Sequence, residues 1–216
     1  MTPPESPPSP ERPNLLKAED LPTAPQQQRS RRTRDALLKA GLALFAERGF
    51  EQTSIADIAH EANAAAGTFY QHFRSKRQLL LVLMDSLLRE IEALNLDLNS
   101  DQPKEVLETA LRTGLSADRT YAGAYRAWRE VALSDAEVAK LDQEVERWTA
   151  KRVEGALRSA LSLPGARREV DIEMTARLLN LLFWRVAEQP PSEEGDERIL
   201  RTILHLFLHG LFKDEL

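Results

Sequence analysis

Gly49-Phe50-Glu51-Gln52-Thr53-Ser54-Ile55-Ala56-Asp57-Ile58-Ala59, followed after a short gap by Gly67-Thr68-Phe69-Tyr70-Gln71-His72-Phe73-Arg74-Ser75-Lys76, decides how this chain folds. Ser54 and Asp57 stand at capping-box spacing and open a short helix over about 54–61, with Ile55, Ile58 and Ala59 as its buried face. A second short helix is expected over about 65–73. Phe69 and Phe73 lie four apart and face a core, while Thr68, Gln71 and His72 fall on the polar arc. Ser75 and Gln78 make another capping box, opening a long helix to about Leu96. Two short helices joined by a tight turn inside a larger helical set form a helix-turn-helix.

Upstream, Leu37, Leu38, Gly41, Leu44 and Phe45 recur at three- and four-residue steps, so a first helix runs from about Arg31 to Arg48 and ends at Gly49. Before it stands Arg29-Ser30-Arg31-Arg32-Thr33-Arg34, a basic arm suited to phosphates or a minor groove, or else a solvated first turn. Residues 29–77 hold nine Lys/Arg against five Asp/Glu, a local charge of +4 in a chain of net charge −5. A basic head on an acidic body is the electrostatic footprint of nucleic-acid binding. Residues 1–28 contain eight of the twelve prolines and almost no apolar periodicity, and are expected to be a disordered tail.

Downstream, helices are expected near 103–115, 118–132, 135–161, 169–188 and 194–213, with Ser134 and Glu137 capping the third of these. The fold class is therefore all-α, about nine helices, with a DNA-binding domain over 29–78 and a helical body over 79–216. There is no cysteine, so disulfides and thiolate zinc sites are excluded. No apolar run approaches a membrane span, and the Pro- and Glu-rich start does not read as a secretory signal, so a soluble cytoplasmic protein without membrane contact is expected. No catalytic triad or phosphate loop is visible, so neither an enzyme nor a cofactor is expected. His205 and His209 share a helix face without a third ligand and read as packing, so no metal site is expected either.

The 31–80 segment resembles the DNA-binding motif of the tetracycline-repressor (TetR) family: glycine-aromatic, a Thr pair, Ile-Ala, a turn, then Gly-Thr-apolar-Tyr-x-His/Tyr-Phe and Ser/Asn-Lys. The resemblance implies a homodimeric transcriptional regulator, usually a repressor. It would bind a roughly palindromic double-stranded operator and be released by a small-molecule effector. The remaining residues resemble the family only in helix number and length. By resemblance, Thr68, Tyr70, His72 and Lys76 contact DNA and Gln71 is placed to read bases. Gly67 would permit close approach of the duplex, Thr53 or Ser54 would hold a phosphate, and Arg31 and Arg32 would lie along the backbone. The chain departs from the family at Ala62-Asn63-Ala64-Ala65, where Ala-Gly-Val-Ser is usual. Asn63 tolerates left-handed geometry in place of glycine. Ala65 forfeits the usual cap of the second helix, a loss of ~1 kcal/mol.

Tyr121, Tyr125 and Trp128 share a helix face, with Trp148 on the next helix. They read either as ordinary core or as the wall of a ligand pocket for a lipophilic effector. The last two helices are the most apolar, and Leu179, Phe183, Ile203, Phe207 and Gly210 are the expected dimer interface. A DNA-bound adaptor without an inducer is the alternative reading.

Overall fold

The computed structural model describes residues 10–17, 19, 22, 27–97, 102–161, 163, 165–187 and 193–212; for Ala187, Glu193, Phe207 and Leu211 the description stops at the helix backbone. Among these residues the chain is all-helical: α1 Gln28–Arg48, α2 Ile55–Glu61, α3 Ala66–His72, α4 Lys76–Glu92, α5 Pro103–Ala132, α6 Ala136–Ala160, α7 Ile172–Ala187 and α8 Glu193–Leu211. An isolated antiparallel bridge, Ala166 to Phe212, is the one extended pairing described.

Eight helices replace the nine expected. The segments read as 103–115 and 118–132 are one continuous helix, α5. Gly114 and Ser116 suggest a break, but neither removes a backbone donor as proline would, and tertiary packing carries the helix through. The cap of α6 also differs by one residue. Asp135, not Ser134, accepts from the backbone N–H of Glu137 and Val138, at 2.9 and 3.1 Å.

The chain forms two compact units. The first comprises 13–90 and 120–143, bringing α1–α3 and most of α4 together with the second half of α5 and the start of α6. Its core holds Leu37, Phe45, Ile58, Phe69, Phe73, Leu79 and Trp128, all fully buried. Arg77 of α4 ties it together, donating to Asp135 at 2.8 Å and Glu137 at 2.7 Å and pairing with Glu19. At Gly123 of α5 the backbones nearly touch. A Cβ there would lie 2.3 Å from the Leu42 carbonyl oxygen and 2.7 Å from the Ala46 nitrogen of α1.

The second unit comprises 1–12, 91–119 and 144–216. Leu107 of α5, Leu157 and Ala160 of α6, Ile172 and Ala176 of α7, and Leu208 of α8 form one buried cluster. Leu115, Val186 and Leu200 form another. Arg119 of α5 pairs with Asp196 of α8, closing the bundle on that side.

The expected tail of 1–28 is corrected where it is described. In the second unit the Trp148 indole N–H donates to the Pro10 carbonyl at 3.0 Å, and Arg12 pairs with Glu92 at 3.1 Å. In the first, Leu15 is 2% exposed and Glu19 accepts from Gln78 at 3.1 Å. Composition misleads here because a single buried leucine and a few polar partners order a short segment whose average is still polar. Residues 1–9 lie outside the described part. The helix start is corrected too. Gln28–Arg34, read partly as an arm, is the beginning of α1.

Candidate nucleic-acid interface

The helix-turn-helix is built from local signals. Ser54 caps α2 in a full capping box. Its hydroxyl oxygen accepts from the Asp57 N–H at 3.1 Å, and the Asp57 carboxylate accepts from the Ser54 N–H at 3.0 Å. The turn closes as Asn63 takes φ 52°, the left-handed conformation expected of a residue standing where glycine is usual. The Ala64 N–H returns to the Ala59 carbonyl at 2.8 Å. α3 then starts at Ala65 without a side-chain cap. Ser75 receives the Gln78 N–H at 3.1 Å, and the Gln78 side chain accepts from the Arg74 N–H at 2.9 Å, which fixes the start of α4.

The seven residues of α3 divide sharply. Phe69 and Phe73 are buried, with rings 5.6 Å apart, and the Arg34 guanidinium lies 4.8 Å over Phe73. Outward stand Gly67, with nothing within 4 Å of a Cβ position, Tyr70 at 56% exposure, and Gln71. Thr68 is half-buried. Arg31 and Arg32, at the start of α1, are exposed. Ser54 is exposed at the start of α2, although its hydroxyl also lies 2.6 Å from Asp57.

Three residues expected at the DNA surface have other partners. Thr53 is 1% exposed, and its hydroxyl donates to the Gly49 carbonyl at 2.7 Å. His72 is buried rather than on the polar arc. Burial, and secondarily the charge of Arg34, hold its imidazole below the ordinary value. Lys76 folds back over the α1–α2 turn. Its ammonium donates to the Phe50 carbonyl at 2.5 Å and the Thr53 carbonyl at 2.8 Å, and it sits 4.1 Å over the Phe50 ring. Desolvation lowers its pKa, with Glu51 and Glu130 acting against that. Helical periodicity sorts residues by angle around the axis, but it does not show that a long side chain has carbonyls to cap nearby.

Glu130, readable from the sequence as a head-group contact beside the aromatic face or as solvent-facing, takes neither role. It lies on α5, yet its carboxylate accepts from the backbone N–H of Phe50 at 2.7 Å and of Glu51 at 3.1 Å. Glu130 and Lys76 thus clamp the turn that carries α2, one satisfying its N–H groups and the other its carbonyls. Nothing local to residue 130 signals this, because its partners lie 79 and 80 positions away.

The four aromatic residues considered for a pocket are divided between the two units. In the first unit the buried Trp128 donates its indole N–H to Asp142 at 2.7 Å, Tyr125 is buried, and the Tyr121 hydroxyl donates to Glu90 at 3.1 Å. Trp148 belongs to the second unit and is committed to Pro10. That unit has a cavity of about 130 Å³ bounded by α5, α6, α7 and α8, and none of the four lines it. Its apolar wall includes Leu111, Leu179, Phe183, Trp184 and Ile203; Asp118, Thr149, Arg152 and Asn180 are its polar members.

The expected interface is likewise redistributed. Leu179 and Phe183 pack against the clusters of the second unit, and Ile203 is buried against the cavity. Gly210 is exposed, and the Phe207 side chain lies outside the described part. The apolar side chains left exposed are Met174, Leu178, Leu181 and Leu182 on α7 and Leu206 on α8. Each helix is apolar over a wide arc, so composition alone cannot say which edge of the arc the bundle covers.

A chain whose first unit presents the outer face of α3 and the exposed arginines of α1 carries a helix-turn-helix. Residues 37–83 match the family described as bacterial regulatory proteins, tetR family. That match spans α2 and α3 with the adjoining parts of α1 and α4. It is 35% identical over 79 residues to the uncharacterized HTH-type transcriptional regulator YerO of Bacillus subtilis (strain 168). That stretch is 35% of this chain but spans only 27% of YerO. It is 27% identical to the HTH-type transcriptional repressor KstR2 of Rhodococcus jostii (strain RHA1) over 191 residues, 82% of this chain and 90% of that protein. In fold it resembles Salmonella enterica GusR, with a TM-score of 0.65 at 24% identity over 85% of this chain and 97% of that one. No helix among the described residues is long and apolar enough to cross a membrane. No group of three or more metal-ligating side chains is found among them either.

Proposed function

We propose that the chain is a homodimeric transcriptional repressor that binds a roughly palindromic duplex through α3 and releases it when a small lipophilic effector enters the second unit. The observation that carries DNA recognition is the outer face of α3, where Gly67, Tyr70 and Gln71 are exposed directly opposite a locked aromatic core. Gln71 is the side chain there with both a donor and an acceptor for a base edge, and the Tyr70 hydroxyl suits a phosphate. Arg31 and Arg32 supply backbone charge. The cavity favours an inducible regulator over an adaptor without one. α4 supports the coupling: Ile91 in its last turn lines the cavity, and Lys76 in its first holds the α1–α2 turn.

Duplexes selected from a random pool, titrated by fluorescence anisotropy, test the head. Gln71→Ala is expected to lose preference for the selected sequence over random DNA by about fivefold to a hundredfold, about 1–3 kcal/mol. Arg31→Ala and Arg32→Ala are each expected to weaken both duplexes equally and flatten the salt slope by about one. Wild-type protein that selects no sequence would refute the assignment.

Dimerisation is expected through the exposed stripe of Met174, Leu178 and Leu181, together with Leu206. Light scattering should show a wild-type dimer and a Leu181→Glu monomer, since the glutamate would be buried unpaired at the interface. A dimer in both would place the interface elsewhere.

A further inference from the structure

Asp118 on α5 is 2% exposed, and neither oxygen of its carboxyl has a hydrogen-bond partner. It lines the cavity of about 130 Å³. A buried acid without partners is costly, and such groups in native proteins call for an explanation. The charged neighbours are committed elsewhere. Arg119, the next residue, is paired with Asp196. Arg152, the other charged group lining the cavity, donates through Nη2 to the carbonyls of Ile91, Glu92 and Leu94 and stacks 5.4 Å from the Trp148 ring; its Nε has no partner. The Thr149 hydroxyl on the same wall donates to the Val145 carbonyl at 3.0 Å. The cavity therefore offers a carboxyl that no donor among the described residues meets.

We propose that this cavity binds a small lipophilic amine, its ammonium on the Asp118 carboxylate and its hydrocarbon against Leu111, Phe183 and Trp184. The regulatory consequence, though not the binding itself, rests on the repressor reading above. The size limits the ligand. An apolar cavity of about 150 Å³ accommodates a benzene ring, so this one, about 130 Å³, suits a smaller molecule on the scale of a four-carbon amine. The chemistry selects a cation. An uncharged alcohol can only exchange hydrogen bonds with the protonated carboxyl, whereas an ammonium draws out the carboxylate, adds its charge to the pairing and brings three donors for two oxygens. Burial, opposed in part by Arg119, pushes the empty-site carboxyl up to about 8, so at pH 7 it is protonated. Ammonium binding breaks the carboxyl O–H bond and sends that proton to solvent, leaving a neutral ion pair in the cavity.

The test is calorimetric titration of the full chain at pH 7 with butylamine and with 1-butanol, each in two buffers of different ionisation enthalpy. Wild type is expected to bind the amine at least about tenfold tighter than the alcohol, releasing about one proton per chain. Asp118→Asn is expected to lose about tenfold or more for the amine, release no proton, and keep its affinity for the alcohol. Equal affinity for the two probes, no butylamine binding, or undiminished binding by Asp118→Asn would overturn the proposal. Should that variant fail to fold, the wild-type proton count decides, and amine binding without proton release overturns the proposal. Adding saturating butylamine to the DNA-bound chain separates the two readings. Amine binding with proton release but unchanged DNA affinity upholds the site and refutes its role as the effector site.

Discussion

Gly123→Ala is expected to unsettle the first unit more than any other single added methyl group. The new Cβ would fall 2.3 Å from the Leu42 carbonyl oxygen and 2.7 Å from the Ala46 nitrogen. Both are backbone atoms of α1, so no rotamer change relieves the clash, and α1 and α5 must move apart. Overpacking of cores costs about 1–3 kcal/mol, and a rigid backbone contact belongs at or above the top of that range. For a chain of this length that lowers Tm by about 10 °C. The same movement would pull Glu130 from the N–H groups of Phe50 and Glu51, so affinity for DNA should fall even below the transition. Gly155→Ala on α6 is the control, because nothing lies within 4 Å of its Cβ position. There the gain in helix propensity should raise stability by about 0.5–1 kcal/mol. Thermal denaturation of the two variants beside wild type checks both, and a Gly123→Ala protein as stable as wild type would show that the close approach is not obligatory.

Trp128→Ala is expected to cost about 3–5 kcal/mol, the range for deleting a large buried aromatic side chain. Trp128 is fully buried, and its indole N–H bonds Asp142 at 2.7 Å. Asp142 also receives Arg129 at 2.8 Å. Trp128→Phe separates the two contributions. It keeps most of the buried area and loses the hydrogen bond, and Arg129 still partners Asp142, so it should cost only about 1–2 kcal/mol. Urea unfolding measures both, and a Trp128→Ala loss below about 1 kcal/mol would contradict the packing described. The expectation that Trp128 contacts the effector is not carried forward, because the ring faces the core of the first unit and does not line the cavity.

The contrast between Asn63 and Lys76 shows where sequence reasoning works. Asn63 was legible as a left-handed turn residue because its conformation follows from its own side chain and its immediate neighbours, and it adopts φ 52°. The capping box of Ser54 and Asp57, the buried pair Phe69 and Phe73, and the uncapped start of α3 at Ala65 are equally local. Each depends on residues within four positions, the range over which helix geometry dictates neighbours. Lys76 was read correctly as the first residue of α4, but its partners lie 23 and 26 positions away and belong to a turn.

By itself the sequence determined an all-helical chain, the order and caps of the helices around the helix-turn-helix, and the aromatic face of α3 that turns inward. Period and capping chemistry are enough for these, because they act within a single turn of helix. Only the tertiary structure decided the rest. It assigned Glu130 and Lys76 to the α1–α2 turn and buried His72. It ordered residues 10–17 against the helices, left Leu178 and Leu181 exposed in place of Leu179 and Phe183, and set an unpartnered Asp118 beside a cavity. Each of these depends on which atoms of distant segments meet once the helices pack. Hydrophobic periodicity describes how wide an apolar arc is, but not which neighbour covers it.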